Sequence, residues 1–139
     1  MTLLLTKKEL VLFLDEVFPQ VKGEFSIERL DSSELHVRLN VKEHHLRPGG
    51  TVSGPSIFAL ADCAIYMALL ARIGREALAV TTNASIDFMR KPAAGRDLIA
   101  NCRILKQGRV LAVGDVLIFA EGDDRPVARC SATYSIPPK

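Results

Sequence analysis

One stretch of the sequence limits the possible folds more than any other. Between Ile57 and Ala71 the chain carries a single charged side chain, that of Asp62. Pro55 precedes this stretch and suits the first turn of a helix, where a backbone N–H would have no intrahelical acceptor. A helix that is apolar on every side must be surrounded by protein. We therefore predict a helix over residues 55–72 in the centre of the fold, with one carboxylate in its middle.

The residues after this helix have the composition and spacing of strands. Clusters of Gly, Pro and Asp divide them into four predicted strands, 79–90, 97–106, 110–121 and 126–136. The short connections favour antiparallel pairing among these four strands. The third strand is apolar on both faces, which predicts that the helix covers one face and another subunit covers the other.

The residues before the central helix predict a shorter helix and a hairpin. Thr6 and Glu9 have the spacing of a capping box, and apolar residues then recur at helical intervals, which predicts a helix over 6–18. Apolar and polar residues alternate within 24–41, as in a half-buried hairpin. An antiparallel sheet curled around one long helix is the most economical α+β architecture for this order of elements. We treat residues 1–139 as a single domain.

The composition argues against several classes of protein. The net charge is +2 and no run of five or six like charges occurs, so we expect no nucleic-acid binding. The three cysteines are far apart and form no C-x-x-C motif, so we predict no metal site. Reduced, buried cysteines favour a cytoplasmic location. No segment reaches about 18 uninterrupted apolar residues, so we expect no membrane span.

Two residues of the central stretch have the chemistry of a catalytic site. Gly54 lies where the predicted helix begins, and free N–H groups there favour a developing negative charge on a carbonyl oxygen. Asp62 follows about two helical turns later on the same face. A carboxylate on an apolar helix is costly unless it is paired, solvated or functional, and it can act as a general base or a nucleophile. A hydrogen-bonded core aspartate and an ordinary cap glycine remain the alternatives.

Two sequence motifs resemble those of a known family. They are G-T-V-S-G-P at 50–55, with Asp62 eight residues after Gly54, and T-T-N-A-S-I-D-F-M-R-K-P at 81–92. Together they resemble the PaaI-like acyl-CoA thioesterases of the hotdog-fold superfamily, over about residues 40–135. The resemblance implies a hotdog fold and hydrolysis of an acyl-CoA, with coenzyme A as part of the substrate and no cofactor or metal. It also implies a homodimer, paired again as a dimer of dimers, with sites between subunits.

The resemblance assigns a role to each matched residue. The N–H of Gly54 would bond the thioester carbonyl, and Asp62 would activate water or attack the carbonyl directly. Thr82, ten residues before Pro92, matches a hydroxyl that helps to hold the water and would meet Asp62 across a subunit boundary. Four further residues are expected to contact the substrate, namely Arg47, Ser53, Arg90 and Lys91. The last two would suit the phosphates of coenzyme A.

Departures from the family pattern leave two alternatives open. Ser53 stands where His is usual, Pro55 replaces a second Gly, and Arg47 falls where many relatives have an Asn. Arg cannot accept hydrogen bonds as Asn can, which would fit a non-catalytic acyl-CoA-binding protein. An enoyl-CoA hydratase or dehydratase on the same fold is the other alternative. Those enzymes resemble H-F-P around their loop histidine, whereas His44 and His45 do not match and are predicted to be a solvated pair.

Overall fold

The structure is a computed structural model that describes residues 2–138. Its first helix, α1, spans Lys7–Val17. The predicted capping box is present, because the Glu9 N–H donates to the Thr6 hydroxyl at 3.2 Å and the Thr6 N–H donates to the Glu9 carboxylate at 3.0 Å. A short 3-10 turn over Pro19–Val21 follows the helix. The prediction of a helix over 6–18 is therefore confirmed to within a residue at each end.

The predicted hairpin is formed by β1, Phe25–Leu30, and β2, Leu35–Leu39, which pair antiparallel. Asp31 closes the turn between them. Its carboxylate accepts the N–H of Glu34 at 2.9 Å and that of Ser33 at 2.8 Å. These two hydrogen bonds lower the pKa of Asp31 to about 2. The carboxylate therefore stays ionised and keeps the turn closed over the whole neutral range.

The central helix, α2, spans Gly54–Ile73 and ends at Gly74, whose φ of 93° suits a residue without a side chain. Its N-cap is Ser53, so the helix begins one residue before the predicted start. In the described part of the chain it is the one helix long and apolar enough to cross a membrane, with a mean hydropathy of 1.7. However, 72% of that window is buried inside the fold, as expected of a core helix. The prediction of a buried central helix is confirmed.

The other four strands complete a six-stranded sheet. They are β3, Val80–Phe88, β4, Leu98–Gln107, β5, Leu111–Ala120, and β6, Pro126–Ser135. The strand order is β1-β2-β4-β5-β6-β3, and every neighbouring pair is antiparallel. These strands are antiparallel to their neighbours, as predicted, but β3 does not form a hairpin with β4. Because β4 pairs with β2 and β5, the segment after β3 has to cross from one edge of the sheet to its interior.

The helix lies close against the concave face of the sheet at β5. A side chain at Gly114 would place its Cβ 2.8 Å from Ile65, so glycine is needed for this approach. Inward residues of β5 are buried against α2, whereas Leu111 and Leu117 on the outward face are 49% and 40% exposed. The predicted cover by the helix is confirmed, and cover of the outer face by another subunit stays a prediction.

The edge strand β3 is the least covered element of the sheet. Every residue in it except Ile86 is exposed, including Val80 at 55% and Phe88 at 54%. It pairs with β6 on one side, and within residues 2–138 no strand pairs with its other side. An exposed edge strand with apolar side chains is a ready template for pairing with a second chain.

Candidate active site

The carboxylate of Asp62 projects from the middle of α2 toward β3 and β6. The Thr81 hydroxyl donates to its Oδ1 at 2.6 Å, and the Tyr134 hydroxyl donates to the same oxygen at 2.8 Å. The Tyr134 hydroxyl also lies 3.0 Å from the backbone carbonyl oxygen of Asp62. In the described chain no side chain or backbone group donates to Oδ2. Asp62 is thus held through one oxygen and presents the other to the space beside the helix.

Within one chain, the hydroxyl that meets Asp62 is that of Thr81. The Thr82 hydroxyl donates instead to the backbone carbonyl of Thr133, at 3.2 Å. The reason is a bulge in β3, where the pairing with β6 shifts between Thr81 and Asn83. An extra residue in a strand turns the following side chains to the other face. The predicted contact of Thr82 with Asp62 across a subunit boundary stays a prediction.

Tyr134 is a site residue that sequence reasoning missed. It lies on the inward face of β6 and is only 3% exposed. Burial raises the pKa of its hydroxyl well above the ordinary value, and the nearby charge of Asp62 contributes to the same shift. The hydroxyl therefore stays protonated and acts as a donor. A signal existed in the sequence, because a tyrosine on the apolar face of an alternating strand needs a buried hydrogen-bond partner.

A cavity of about 250 Å³ opens beside Asp62, Thr81 and Tyr134. Its other walls come from apolar or aromatic residues of α1, α2 and β3, with Val17, Phe18, Cys63, Tyr66, Ala79 and Val80 among them. The rings of Phe18 and Tyr66 meet edge to face with centroids 6.4 Å apart. The carboxylate therefore stands at the polar end of a mainly apolar pocket.

The thiol nearest to this carboxylate is not a second nucleophile. Cys63 is 8% exposed, and burial together with the charge of Asp62 raises the pKa of its thiol to about 12. The thiolate is the nucleophilic form, so a thiol of this kind is unreactive at neutral pH. Cys102 and Cys130 are also buried and free, which confirms the predicted buried cysteines.

Gly54 is the first residue of α2, directly after the N-cap. The Ser53 hydroxyl accepts the N–H of Ser56 at 3.3 Å and donates to the Ser56 hydroxyl at 3.1 Å. The N–H of Gly54, by contrast, has no intrahelical acceptor and lies at the positive end of the helix dipole. The structure therefore gives Ser53 a capping role, and its predicted contact with the substrate stays a prediction.

A second cavity, of about 500 Å³, lies at this end of the helix. Gly54 lines it together with Arg47, Arg90 and Lys91, three of the residues predicted to contact the substrate. Phe88 forms another wall, and its ring would lie 3.6 Å from a Cβ placed on Gly54. The structure thus brings a backbone donor and three cations together around one open pocket, which suits an anionic ligand.

A buried histidine supports the loop that leads to Gly54. The ring Nδ1 of His45 accepts the N–H of Lys42 at 2.8 Å, and its Nε2 lies 2.8 Å from the carboxylate of Glu24. The backbone carbonyl of His45 accepts the N–H of Ser53 at 2.8 Å. The prediction of a solvated pair holds for His44, whose side chain is 61% exposed, but is wrong for His45, which is 4% exposed. Glu24, at the start of the hairpin, supplies the partner that makes this burial possible.

The same three side chains form a group that could hold a metal ion. Ligand atoms of Glu24, His44 and His45 lie within 4.8 Å of one another. Both histidine Nε2 atoms already lie at hydrogen-bond distance from one oxygen of Glu24, 2.9 Å for His44 and 2.8 Å for His45. These hydrogen bonds give all three side chains a partner without an ion, so the group links the start of the hairpin to the loop.

The two cavities lie at opposite ends of β3. Val80 and Thr81, at the start of the strand, line the Asp62 cavity, whereas Phe88, at its end, lines the Gly54 cavity. In the part of the chain that the structure describes, no residue lines both. A single chain therefore keeps the carboxylate and the backbone donor in separate cavities, which we name the Asp62 half-site and the Gly54 half-site after the prediction that two chains share one site.

Comparison with known proteins identifies several relatives. The family model of the thioesterase superfamily matches residues 49–127. Human acyl-coenzyme A thioesterase 13 is 29% identical over 112 residues, which are 81% of this chain and 79% of that protein. A protein from Silicibacter sp. TM1040, described as a presumed thioesterase, is 64% identical, with a TM-score of 0.94 over 99% of this chain and 96% of that one. A mutant of the phenylacetic acid degradation protein PaaI from Thermus thermophilus is 27% identical, with a TM-score of 0.73 over 86% and 99%.

These similarities confirm the predicted architecture, a six-stranded antiparallel sheet around one long helix in the hotdog arrangement. The match to the family model includes the last residues before α2, the whole of α2 and the whole of β3. It spans more than half of the chain. The chain therefore belongs to the thioesterase superfamily, and the predicted enzyme class, a hydrolase of thioesters, is confirmed at the level of that family.

Proposed function

We propose that this protein hydrolyses an acyl-CoA thioester with Asp62 as the general base or nucleophile. The observation that carries the proposal is the state of Asp62, which lines a pocket and is held by two hydroxyl donors through Oδ1, with no donor to Oδ2 in the described chain. A carboxylate arranged in this way has a free oxygen with a defined direction. Within one chain the Thr81 hydroxyl is the donor from β3 to Asp62, and the role of Thr82 in holding the water stays a prediction.

The chemistry needs a base, a carbonyl donor and one water molecule. Oδ2 of Asp62 either takes a proton from the water that attacks the thioester carbon, or attacks that carbon itself to form an anhydride that water opens. Negative charge develops on the carbonyl oxygen, where the N–H of Gly54 would stabilise it. The C–S bond breaks, and the products are a carboxylic acid and the thiol of coenzyme A. This route uses no metal or cofactor, and coenzyme A enters as part of the substrate.

The proposed site is shared between two chains. Antiparallel pairing of two β3 strands about a twofold axis would set the Thr81 end of one chain beside the Phe88 end of its partner. The carboxylate of one chain would then face Gly54 of the other. We propose this homodimer as the active unit. The exposed outer face of β5, with Leu111 and Leu117, is the surface proposed for pairing two dimers.

The two cavities suit the two parts of an acyl-CoA. The pocket beside Asp62 has aromatic and aliphatic walls, so the acyl group is expected there. Arg47, Arg90 and Lys91 line the other cavity and suit the phosphates of coenzyme A. The thioester would lie where the two cavities meet in the dimer.

The test is hydrolysis of a panel of short, medium and aromatic acyl-CoA substrates by the parent protein and by Asp62→Asn. Asparagine keeps the size of the side chain but is neither a base nor a nucleophile. We expect kcat to fall by about 10²-fold or more, with the oligomer and the melting temperature retained. Equal rates in the two proteins would remove Asp62 from the chemistry.

The two alternatives have their own outcomes in this assay. If the parent binds coenzyme A but hydrolyses no member of the panel, the non-catalytic binding protein is supported, and the departure at Arg47 would then explain the lost activity. If an enoyl-CoA loses its conjugated absorbance without release of a thiol, the protein is a hydratase.

A further inference from the structure

The hydroxyls of Tyr134 and Thr81 both donate to Asp62, but the strands that carry these two residues are not equally well supported by their neighbours. Thr81 lies on β3, which pairs within the chain on one side only. Tyr134 lies on β6, where it pairs with Thr81 on one side and with Ala112 of β5 on the other. Partial rotation of the Asp62 carboxylate about its Cβ–Cγ bond would turn its plane and redirect the oxygen that has no donor. The donor from the interior strand is the one better placed to prevent this.

The position of the Tyr134 hydroxyl fits this task. It lies 2.8 Å from Oδ1 of Asp62 and 3.0 Å from the backbone carbonyl oxygen of the same residue. The hydroxyl therefore sits between the backbone and the side chain of one aspartate, so the carboxylate is held relative to its own helix. Burial keeps the hydroxyl protonated, which makes it a permanent donor.

We propose that Tyr134 is a positioning residue that fixes the plane of the Asp62 carboxylate and so orients Oδ2, the oxygen without a donor in the described chain, for reaction. The proposal rests on the function proposed above. With Oδ1 occupied by two donors, the lone pairs of Oδ2 are the ones available to water or to the thioester carbon. The ring of Tyr134 has a separate role, because it stacks on Tyr66 with centroids 6.1 Å apart. A phenylalanine would keep the ring contact and lose only the hydroxyl.

The kinetic test is Tyr134→Phe, alone and combined with Asp62→Asn. Hydrogen bonds to charged groups are among the strong ones, so we expect kcat to fall about 10- to 100-fold while KM changes less than about 3-fold. In the Asp62→Asn background the same change is expected to have no further effect, because the oxygen it positions no longer reacts. An unchanged kcat in the single variant, or an equal further loss in the double variant, would overturn the role.

A second measurement needs no change at position 134. The chain contains two tyrosines, so the ¹⁹F spectrum of fluorotyrosine-labelled protein has two signals, and Tyr66→Phe assigns them. The Tyr66 hydroxyl donates to the carbonyl of Ala77 at 2.8 Å and not to Asp62. We expect Asp62→Asn to move the Tyr134 signal more than the Tyr66 signal. Equal or absent shifts would overturn the proposed contact.

The outcomes also separate this proposal from the proposed function. A parent protein that hydrolyses no acyl-CoA overturns the function and this role together. An active parent whose Tyr134→Phe variant keeps its kcat overturns only the role of Tyr134.

Discussion

The Gly54 half-site and the Asp62 half-site are built in opposite ways. Around Gly54 the free donor is a backbone N–H, and the walls carry Arg47, Arg90 and Lys91. Around Asp62 the charged group is a side chain, no cation lines the cavity, and the hydroxyl of Tyr134 that holds the carboxylate is buried. Three cations line the Gly54 cavity, whereas the charged residue that lines the Asp62 cavity is the acidic Asp62 itself.

This difference explains why the halves lie apart in one chain. A carboxylate close to a guanidinium forms an ion pair, and its oxygens are then occupied by the cation. The length of β3 keeps Asp62 away from Arg47 and Arg90 within the chain. Within the described chain only hydroxyl donors hold the carboxylate. The lesson is that separation of opposite charges along one strand can leave a carboxylate oxygen without a cation partner in a single chain.

The largest expected effect comes from mixing two inactive variants. Gly54→Pro removes the N–H at the first helical position, where proline is tolerated, and Ser53 before it already has the extended conformation that proline requires. Asp62→Asn removes the base. Each variant alone is expected to lose at least about 10²-fold in kcat. After subunit exchange, a random mixture should recover about a quarter of the parental activity, since each mixed dimer holds one intact site.

The control for the backbone donor is Gly54→Ala, which keeps the N–H. Its Cβ would make an ordinary contact of 3.6 Å with the ring of Phe88, so most of the activity should remain. If the mixture of Gly54→Pro and Asp62→Asn shows no recovery although exchange is demonstrated, both halves act within one chain and the shared site is wrong.

A smaller effect is expected from the two adjacent threonines of β3. Thr81→Val removes the donor to Asp62 and is expected to lower kcat about 10-fold or more. Thr82→Val removes a hydroxyl that bonds only to the carbonyl of Thr133, and kcat should stay within about 3-fold of the parent. Thr81→Ser, which keeps the hydroxyl, should restore most of the activity. Steady-state kinetics on one substrate compares the kcat values of these variants. A larger loss of kcat in Thr82→Val than in Thr81→Val would show that the Thr82 hydroxyl is the one the reaction needs.

The cations of the Gly54 half-site should affect binding more than chemistry. Arg90→Ala and Lys91→Ala are each expected to raise KM about 3- to 10-fold with little change in kcat, because exposed contacts to phosphate are screened by solvent and salt. The effect should shrink as the salt concentration rises. A matched substrate that lacks the nucleotide part of coenzyme A should show no such difference. A large fall in kcat would instead place these residues at the thioester.

The smallest effect is expected from alkylation of the cysteines. Burial raises the pKa of Cys63 to about 12 and that of Cys130 to about 11, and it raises the pKa of Cys102 as well. The reactive thiolates are therefore absent at neutral pH and form only as the pH rises toward these values. Iodoacetamide at pH 7 should leave the native protein unlabelled and fully active, and should label it after unfolding. Rapid inactivation would show that the nucleophile of the Asp62 half-site is a thiol.

The positions of Gly54 and Asp62 in the fold can be predicted from the sequence, because their signals are local. A long apolar stretch predicts a core helix, and one charge within it stands out whatever surrounds it. Gly54 follows from where that helix begins. The fold class follows from the order of these elements together with the family resemblance.

The features that could not be predicted depend on pairing between distant segments. The bulge that places Thr81 at Asp62 exists only against β6, and no local pattern marks it. Tyr134 reaches Asp62 across 72 positions of sequence. His45 is buried because Glu24, 21 positions earlier, accepts its N–H. Each of these contacts depends on the three-dimensional register of two elements, which a periodicity within one element does not contain.

The bulge in β3 also has an evolutionary consequence. Thr82 is the extra residue of this bulge, so its deletion would restore regular pairing while Thr81 stayed opposite Tyr134. The hydroxyl that contacts Asp62 would then be retained. Lineages of this fold could therefore lose this codon of an exposed strand and keep the contact, without any substitution in the core.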